Sequence, residues 1–179
     1  MSKTKSTAKA NFEKTSRETA MEIAWDLTQE IQSFCENMQI AGSIRQGKEM
    51  VGDVDIVIIP KPPVAEFIAK IKEKIDFEYG GTKKLFGMYK GRPINIFITT
   101  RESFGACLYQ STGPALYNVH MRQTVKSKGM KLNEYGLFNR QTGEKIAGST
   151  EEGIFEALGI KYVEPEKRTA PEWIQKKWG

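Results

Sequence analysis

Two carboxylates at the head of an apolar run are the residues of this sequence best suited to chemistry. Asp53 and Asp55 open the segment 53–59 (DVDIVII), which is β-branched, too short for a typical helix, and reads as a strand. Residues i and i+2 of a strand project from one face, so both carboxylates point the same way. Like charges placed together repel unless something positive lies between them. Mg²⁺ is the natural occupant, because it takes oxygen ligands and completes its shell with phosphate and water. Upstream, Gly42-Ser43 offers a backbone that can approach a phosphate closely, and a hydroxyl donor. Two ions on such a carboxylate pair would clamp the attacking and leaving oxygens of an in-line displacement, which is what nucleotidyl transfer requires. A bare Asp-x-Asp more often merely ends an edge strand. The upstream Gly-Ser and the apolar strand that follows reverse that reading.

Composition removes several alternatives. His120 is the only histidine, which disfavours a zinc hydrolase and a Ser-His-Asp triad. Cys35 and Cys107 lack the spacing of a zinc site or redox pair and read as buried thiols on apolar helix faces. Lys and Arg number 27 against 22 acidic residues, a net charge of +5. That excess suits a polyanionic partner without proving one. With 179 residues, 39% hydrophobic and 27% charged, the chain fits one domain or two small subdomains sharing a core. It has no apolar run long enough to span a membrane, and its start (MSKTKSTAKANFEK) has no apolar signal region. A cytoplasmic or nuclear protein is expected.

The elements that must position the carboxylates follow from periodicity. Residues 1–14 read as a polar tail. Thr15-Ser16-Arg17-Glu18 has capping-box form, and Ile23, Leu27, Ile31, Phe34 and Met38 follow at helical spacing. Gln39–Ser43 reads as a short strand. After the strand at 53–59 and its prolines, Val64, Phe67, Ile68, Ile71 and Ile75 form a second helical stripe. Leu85–Tyr89 and Ile94–Thr99 flank Lys90-Gly91-Arg92-Pro93 as a hairpin. From Phe104 the pattern is helix, turn, helix, with Pro114 at a first turn and Gly129 as the stop. Met130–Phe138 reads as a strand, Ser149–Gly159 as a last short helix, and 169–179 as a tail.

The stretch 42–55 resembles the Gly-Ser…Gly-Asp-x-Asp signature of the DNA polymerase β-type nucleotidyltransferases, family X. Thr112-Gly113 with Asn118 and Arg122 is similar to that family's Thr-Gly…Asn…Arg segment. Asn133-Glu134-Tyr135 and the run from Ile154-Phe155 to Tyr162-Val-Glu-Pro-Glu166 resemble its later motifs. The likeness spans about 16–168, in the family's order. It implies an α+β fold: a nucleotidyltransferase palm, a mixed sheet with flanking helices, over 15–105, then a small α+β thumb- or fingers-type subdomain over 106–168 that selects the nucleotide. It also implies Asp53 and Asp55 as metal ligands for Mg²⁺, with Mn²⁺ as a substitute. Gly42, Ser43, Arg45, Gly52, Thr112 and Gly113 would bind nucleotide, Asn118 would read its base edge, and Arg122 would touch the nascent pair or template. The implied partners are primer-template or gapped DNA and a deoxynucleoside triphosphate, with ribonucleotides as a further substrate, and the protein is expected to act as a monomer. The chain is too short for the lyase and helix-hairpin-helix modules of larger members, so Lys126, Lys128 and Lys131 are candidates for DNA grip.

Three departures qualify the implied activity. The third catalytic position falls at Asn95, where the family has a carboxylate. An amide is a poorer ligand for a hard cation and cannot take the proton of a primer hydroxyl. Asn95 is therefore open to three readings: an engineered change, a natural member working with two carboxylates, or a protein that binds nucleotide without efficient chemistry. Gln46 stands where another arginine is common, with Lys48 a substitute. Gln110-Ser111 replace the aromatic pair that crowds the sugar 2′ position, so weaker discrimination against ribonucleotides is expected unless Tyr109 takes that role. DNA-directed extension of a primer 3′ end is the leading expectation. A catalytically impaired homologue that binds nucleotide or DNA, or a nucleotidyltransferase acting on another acceptor, are the alternatives.

Overall fold

Strand alternation organises the larger part of the chain. In a computed structural model, which describes residues 12–178, five strands form one mixed sheet: β2 (Cys35–Ile40), β4 (Val54–Pro60), β5 (Asp76–Gly80), β6 (Lys84–Tyr89) and β7 (Arg92–Ile98). Their order is β2-β4-β7-β6-β5. The central pair β4–β7 is parallel, and the other neighbours run antiparallel. Val54, Ile56 and Ile58 of β4, with Ile94 and Ile96 of β7, enter the main core. There they meet α1 (Arg17–Ile31), through Ala20, Ala24, Leu27 and Ile31, and α3 (Val64–Lys74), through Phe67 and Ile71. The alternate residues must then face the other way. Val57 does so, packing with Ala41, Cys107 and Leu108, and Asp55, Asn95 and Phe97 share that parity.

The C-terminal part has its own core. Helices α4 (Phe104–Thr112), α5 (Ala115–Ser127) and α6 (Glu151–Leu158) surround an antiparallel sheet of β8 (Met130–Asn133), β9 (Gly136–Asn139) and β10 (Lys145–Ala147). Tyr109, Tyr117, Met121, Leu137, Ile154 and Phe155 are buried together there. The expected α+β class therefore holds. No helix among the described residues is long and apolar enough to cross a membrane.

Several local expectations are corrected. Helix α1 stops at Ile31, residues Gln32–Phe34 tighten into a 3₁₀ turn, and Cys35 begins β2. Phe34 and Met38 still reach the same core, which is why their spacing imitated a continuous helix. Thr15 is no cap. Thr15–Ser16 form β1, paired with β3 (Met50–Val51), and the Ser16 hydroxyl alone caps α1, accepting from the Thr19 amide at 3.2 Å. The strand expected at Gln39–Ser43 ends at Ile40. Gly42–Arg45 form a single helical turn, α2, entered at Gly42 with φ +59°. Met130–Phe138 is two strands rather than one. The Asn133 side-chain oxygen accepts from the amides of Tyr135 and Gly136 at 2.9 and 3.3 Å, an Asx turn that reverses the chain. Strand β5 was not foreseen. The C-terminal tail contains α7 (Glu172–Trp178), and the tail expected over 1–14 lies almost wholly outside the described residues. The expected hairpin between β6 and β7 is present but tighter: Arg92 and Pro93 already belong to β7, and Lys90 and Gly91 alone make the turn, with φ of 47° and 74°, as a type I′ turn requires.

Candidate active site

Parallel pairing of β4 and β7 brings the three candidate catalytic positions together. Asp55 and Asn95 are partners in register, and the Asn95 amide nitrogen donates to Asp53 Oδ2 at 3.2 Å. Asp53, Asp55 and Asn95 line one cavity of about 550 Å³, with Lys83, Lys84, Gln110, Ser111, Glu134 and Tyr135 on its other walls. Asn95 is 4% exposed, and its Oδ1 is buried without a hydrogen-bond partner. Among the described residues no group of three or more His, Cys, Asp or Glu could hold a metal ion. The oxygens lining the cavity here are those of two carboxylates and one orphaned amide carbonyl. All are hard donors, and they fit a small divalent cation.

Asp55 also opens onto a second cavity, of about 360 Å³, lined by Gly42, Ser43, Gln46, Gly113, Asn118 and Arg122 among others. It therefore stands at the boundary between the two spaces. The loop before it is shaped for close approach. A Cβ on Gly42 would lie 2.0 Å from Asp55 Oδ2, so only glycine lets the carboxylate rest against this turn. Asn118, on α5, is 4% exposed and donates to the Gln110 carbonyl at 3.1 Å, while its Oδ1 is buried without a partner. Arg122, one turn on, is exposed. Thr112 and Gly113 line the same space, and the Gly113–Pro114 peptide is cis.

Other candidates lie elsewhere. Gly52 lines neither cavity, and its carbonyl accepts from Arg92 at 3.3 Å. Arg45 lines neither cavity. Its guanidinium donates to Thr112 Oγ1 at 2.8 Å and pairs with Glu151, while the Gln46 amide donates to the Thr112 carbonyl at 2.6 Å. Arg168, fully buried, donates to the other Glu151 oxygen at 2.8 Å. Burial pushes the Glu151 carboxyl up, but hydrogen bonds from Arg45 and Arg168 outweigh it and hold the group below the ordinary carboxylate range. Lys126, Lys128 and Lys131 are exposed and outside both cavities, and Lys48 is likewise exposed.

Tyr109 does not take the sugar-facing role. It is 1% exposed, in edge contact with Phe155 and under the Arg168 guanidinium at 5.3 Å. Gln110 and Ser111 face both cavities instead. Cys35 and Cys107 are buried free thiols, and burial pushes Cys35 up to about 11. Two features, one on a cavity wall and one behind it, were missed. Lys83 bonds the Tyr135 hydroxyl and lies over its ring at 4.6 Å, closing one side of the first cavity. The only sequence signal was the adjacency of Lys83-Lys84 to a strand. Glu151, the centre of the Arg45–Arg168 bridge, carried no signal.

Residues 107–169 match the family model of the DNA polymerase beta thumb. The chain is 30% identical over 147 residues to "Repair DNA polymerase X" of African swine fever virus, an alignment covering 77% of this chain and 84% of that protein. The chain belongs to DNA polymerase family X. Two further relatives are longer than this chain. "DNA polymerase/3'-5' exonuclease PolX" of Bacillus subtilis is 26% identical, with 87% of this chain and 29% of that protein covered. DNA polymerase lambda of Rattus norvegicus is 28% identical, with 85% and 32% covered.

Proposed function

We propose that this family X protein extends a DNA primer 3′ end from deoxynucleoside triphosphates, directed by a template strand. The observation that carries this reading is the pair of cavities meeting at Asp55, one holding Asp53 and Asn95, the other Ser43, Asn118 and Arg122. In this reading residues 15–105 form the palm and 106–168 the nucleotide-selecting subdomain. The triphosphate enters the second space, where Gly42 permits close backbone approach and Ser43 offers its hydroxyl. The buried Asn118 Oδ1 is available to a donor on the base edge, and Arg122 reaches the nascent pair. The primer end enters the first space beside Lys83 and Lys84. Asp53 and Asp55 hold Mg²⁺, or Mn²⁺ in its place, and the Asn95 carbonyl completes the donor set as a weak, neutral ligand. Metal held there would supply charge neutralisation for the attacking and leaving oxygens. Asn95 has no carboxylate to take the hydroxyl proton, so turnover is weaker than with aspartate there.

The test is extension of a gapped or primed template with each nucleotide offered singly. Addition of only the complementary base supports the reading, and untemplated addition rejects it in favour of another acceptor. Because the walls at Gln110 and Ser111 carry no aromatic ring, the preference for deoxy- over ribonucleotides is expected to stay below about a thousandfold, roughly 4 kcal/mol. Action as a monomer inside the cell, in cytoplasm or nucleus, belongs to the same proposal.

Asn95 supports a second reading, a homologue that binds nucleotide and DNA with impaired chemistry. Calorimetric titration with nucleotide and Mg²⁺ beside the extension assay separates the two: tight binding without extension selects the second.

A further inference from the structure

Helix α7 begins beyond the segment that matches the family thumb, which ends at residue 169. It is nonetheless tied to the helix that carries Asn118 and Arg122. Ile174 is fully buried, and Trp173 meets His120 of α5 edge-on, with ring centres 6.0 Å apart. At 100° per residue, His120 lies about 200° around α5 from Asn118. The exposed residues Arg122, Gln123 and Lys126 occupy the arc between the nucleotide cavity and α7, so α7 widens the same open surface.

What α7 offers is cationic and aromatic. Trp173 and Trp178 are 54% and 56% exposed. Lys176 and Lys177 follow Trp173 on a face within about 100°, and the Lys177 ammonium lies 5.3 Å from the Trp178 ring centre. Glu172 is the one acid in α7, and its contact with Lys176, at 3.8 Å between highly exposed groups, is of the kind that contributes little. The helix's buried apolar residue, Ile174, is already used in docking, so the remaining apolar surface is two isolated rings beside lysines. A protein-docking helix presents a continuous apolar stripe. Rings interleaved with cations suit unpaired bases and the phosphates that join them.

We propose that α7 binds the single-stranded part of the template. Trp173 and Trp178 stack on bases, and Lys176 and Lys177 neutralise phosphates. This rests on the DNA-directed reading above.

The experiment compares a fluorescently labelled blunt hairpin duplex with the same hairpin bearing a 5′ oligothymidine overhang. Affinity is read by anisotropy for the full chain, for Trp178→Ala and for Lys176→Gln/Lys177→Gln. In the unaltered protein the overhang should tighten binding by about tenfold, within the range of one stacked base, and quench tryptophan emission. Each variant should lose most of that advantage, and the lysine pair should flatten the salt dependence of overhang binding by about 1.4 in slope, at about 0.7 per phosphate. All three positions are exposed, Trp178 one turn beyond the Ile174 anchor, and circular dichroism of each variant verifies that it folds. An overhang advantage absent from the unaltered protein, or unchanged in both variants, overturns the proposal. So does self-association that depends on residues 171–179 while overhang binding does not, because α7 would then be a protein contact. Failure to bind either DNA rejects the polymerase reading itself, whereas equal binding of both rejects only the role of α7.

Discussion

Asp55 and Glu151 are both carboxylates held against the same short loop, residues 42–46, yet their surroundings are opposite. Asp55 rests on Gly42 and opens onto two cavities. Glu151 is 3% exposed and clamped between Arg45 and Arg168. The first carboxylate is partly exposed where the two cavities meet. The second has its counter-charges supplied internally and is closed to ligands. One loop thus lines a cavity with its glycine and serine, and bonds to the C-terminal part through Arg45 and Gln46. A single short loop therefore joins the two cores while keeping one face on a cavity.

If that division is right, removing the accessible acids should damage activity and spare the fold. Asp53→Ala or Asp55→Ala is expected to lower primer extension by at least about a thousandfold, roughly 4 kcal/mol in the barrier. The melting temperature should fall far less than in a Glu151 variant, whose carboxylate is clamped between two guanidiniums. A parallel loss of stability and activity would break the comparison.

Glu151→Gln should do the reverse. Removing one partner of a buried ionic cluster leaves charge uncompensated and typically costs about 3–5 kcal/mol, read as a lower denaturant midpoint. The pH dependence follows from the depressed carboxyl. Its contribution is complete above the ordinary carboxylate pKa of the unfolded chain, and is lost as pH falls through the lower folded value. The variant's stability curve should therefore be flatter on the acid side. An unchanged acid limb would show that the bridge contributes nothing.

Asn95→Asp sharpens the comparison within the open site. Adding the carboxylate should raise turnover by about tenfold or more, on the scale of general-base catalysis. It also replaces the amide that donates to Asp53 with a third like charge, so the metal-free protein should melt lower and gain more from added Mg²⁺. A clear loss of extension in this variant would count against the role assigned to position 95.

These contrasts track what the sequence could reveal. The shared side of Asp53 and Asp55 was legible because alternation is local, although β4 begins at Val54 and Asp53 immediately precedes it. Asn95 was legible only by resemblance, and the parallel register with Asp55 supplied the physical reason. Arg45 was expected at the nucleotide, whereas its guanidinium turns to Thr112 and to Glu151, 106 residues away. No local pattern encodes a pairing at that separation. Helix α1 was lengthened by the same limitation. Phe34 and Met38 reach one core from a 3₁₀ turn and a strand, and spacing does not distinguish that from a helix.

The smallest expected effect concerns the exposed lysines outside both cavities. Lys126 is in the last turn of α5, Lys128 directly follows that helix, and Lys131 is on β8; all are exposed, as a solvated basic face also would be. If each neutralises one duplex phosphate, changing it to Gln should reduce the slope of log affinity against log salt by about 0.9, with similar losses on every DNA sequence. An ordinary solvated face would leave the slope unchanged, even if net charge lowered affinity slightly. Measuring the slope rather than a single affinity therefore separates contact from background field, and the three positions taken singly would trace the path of the duplex past α5.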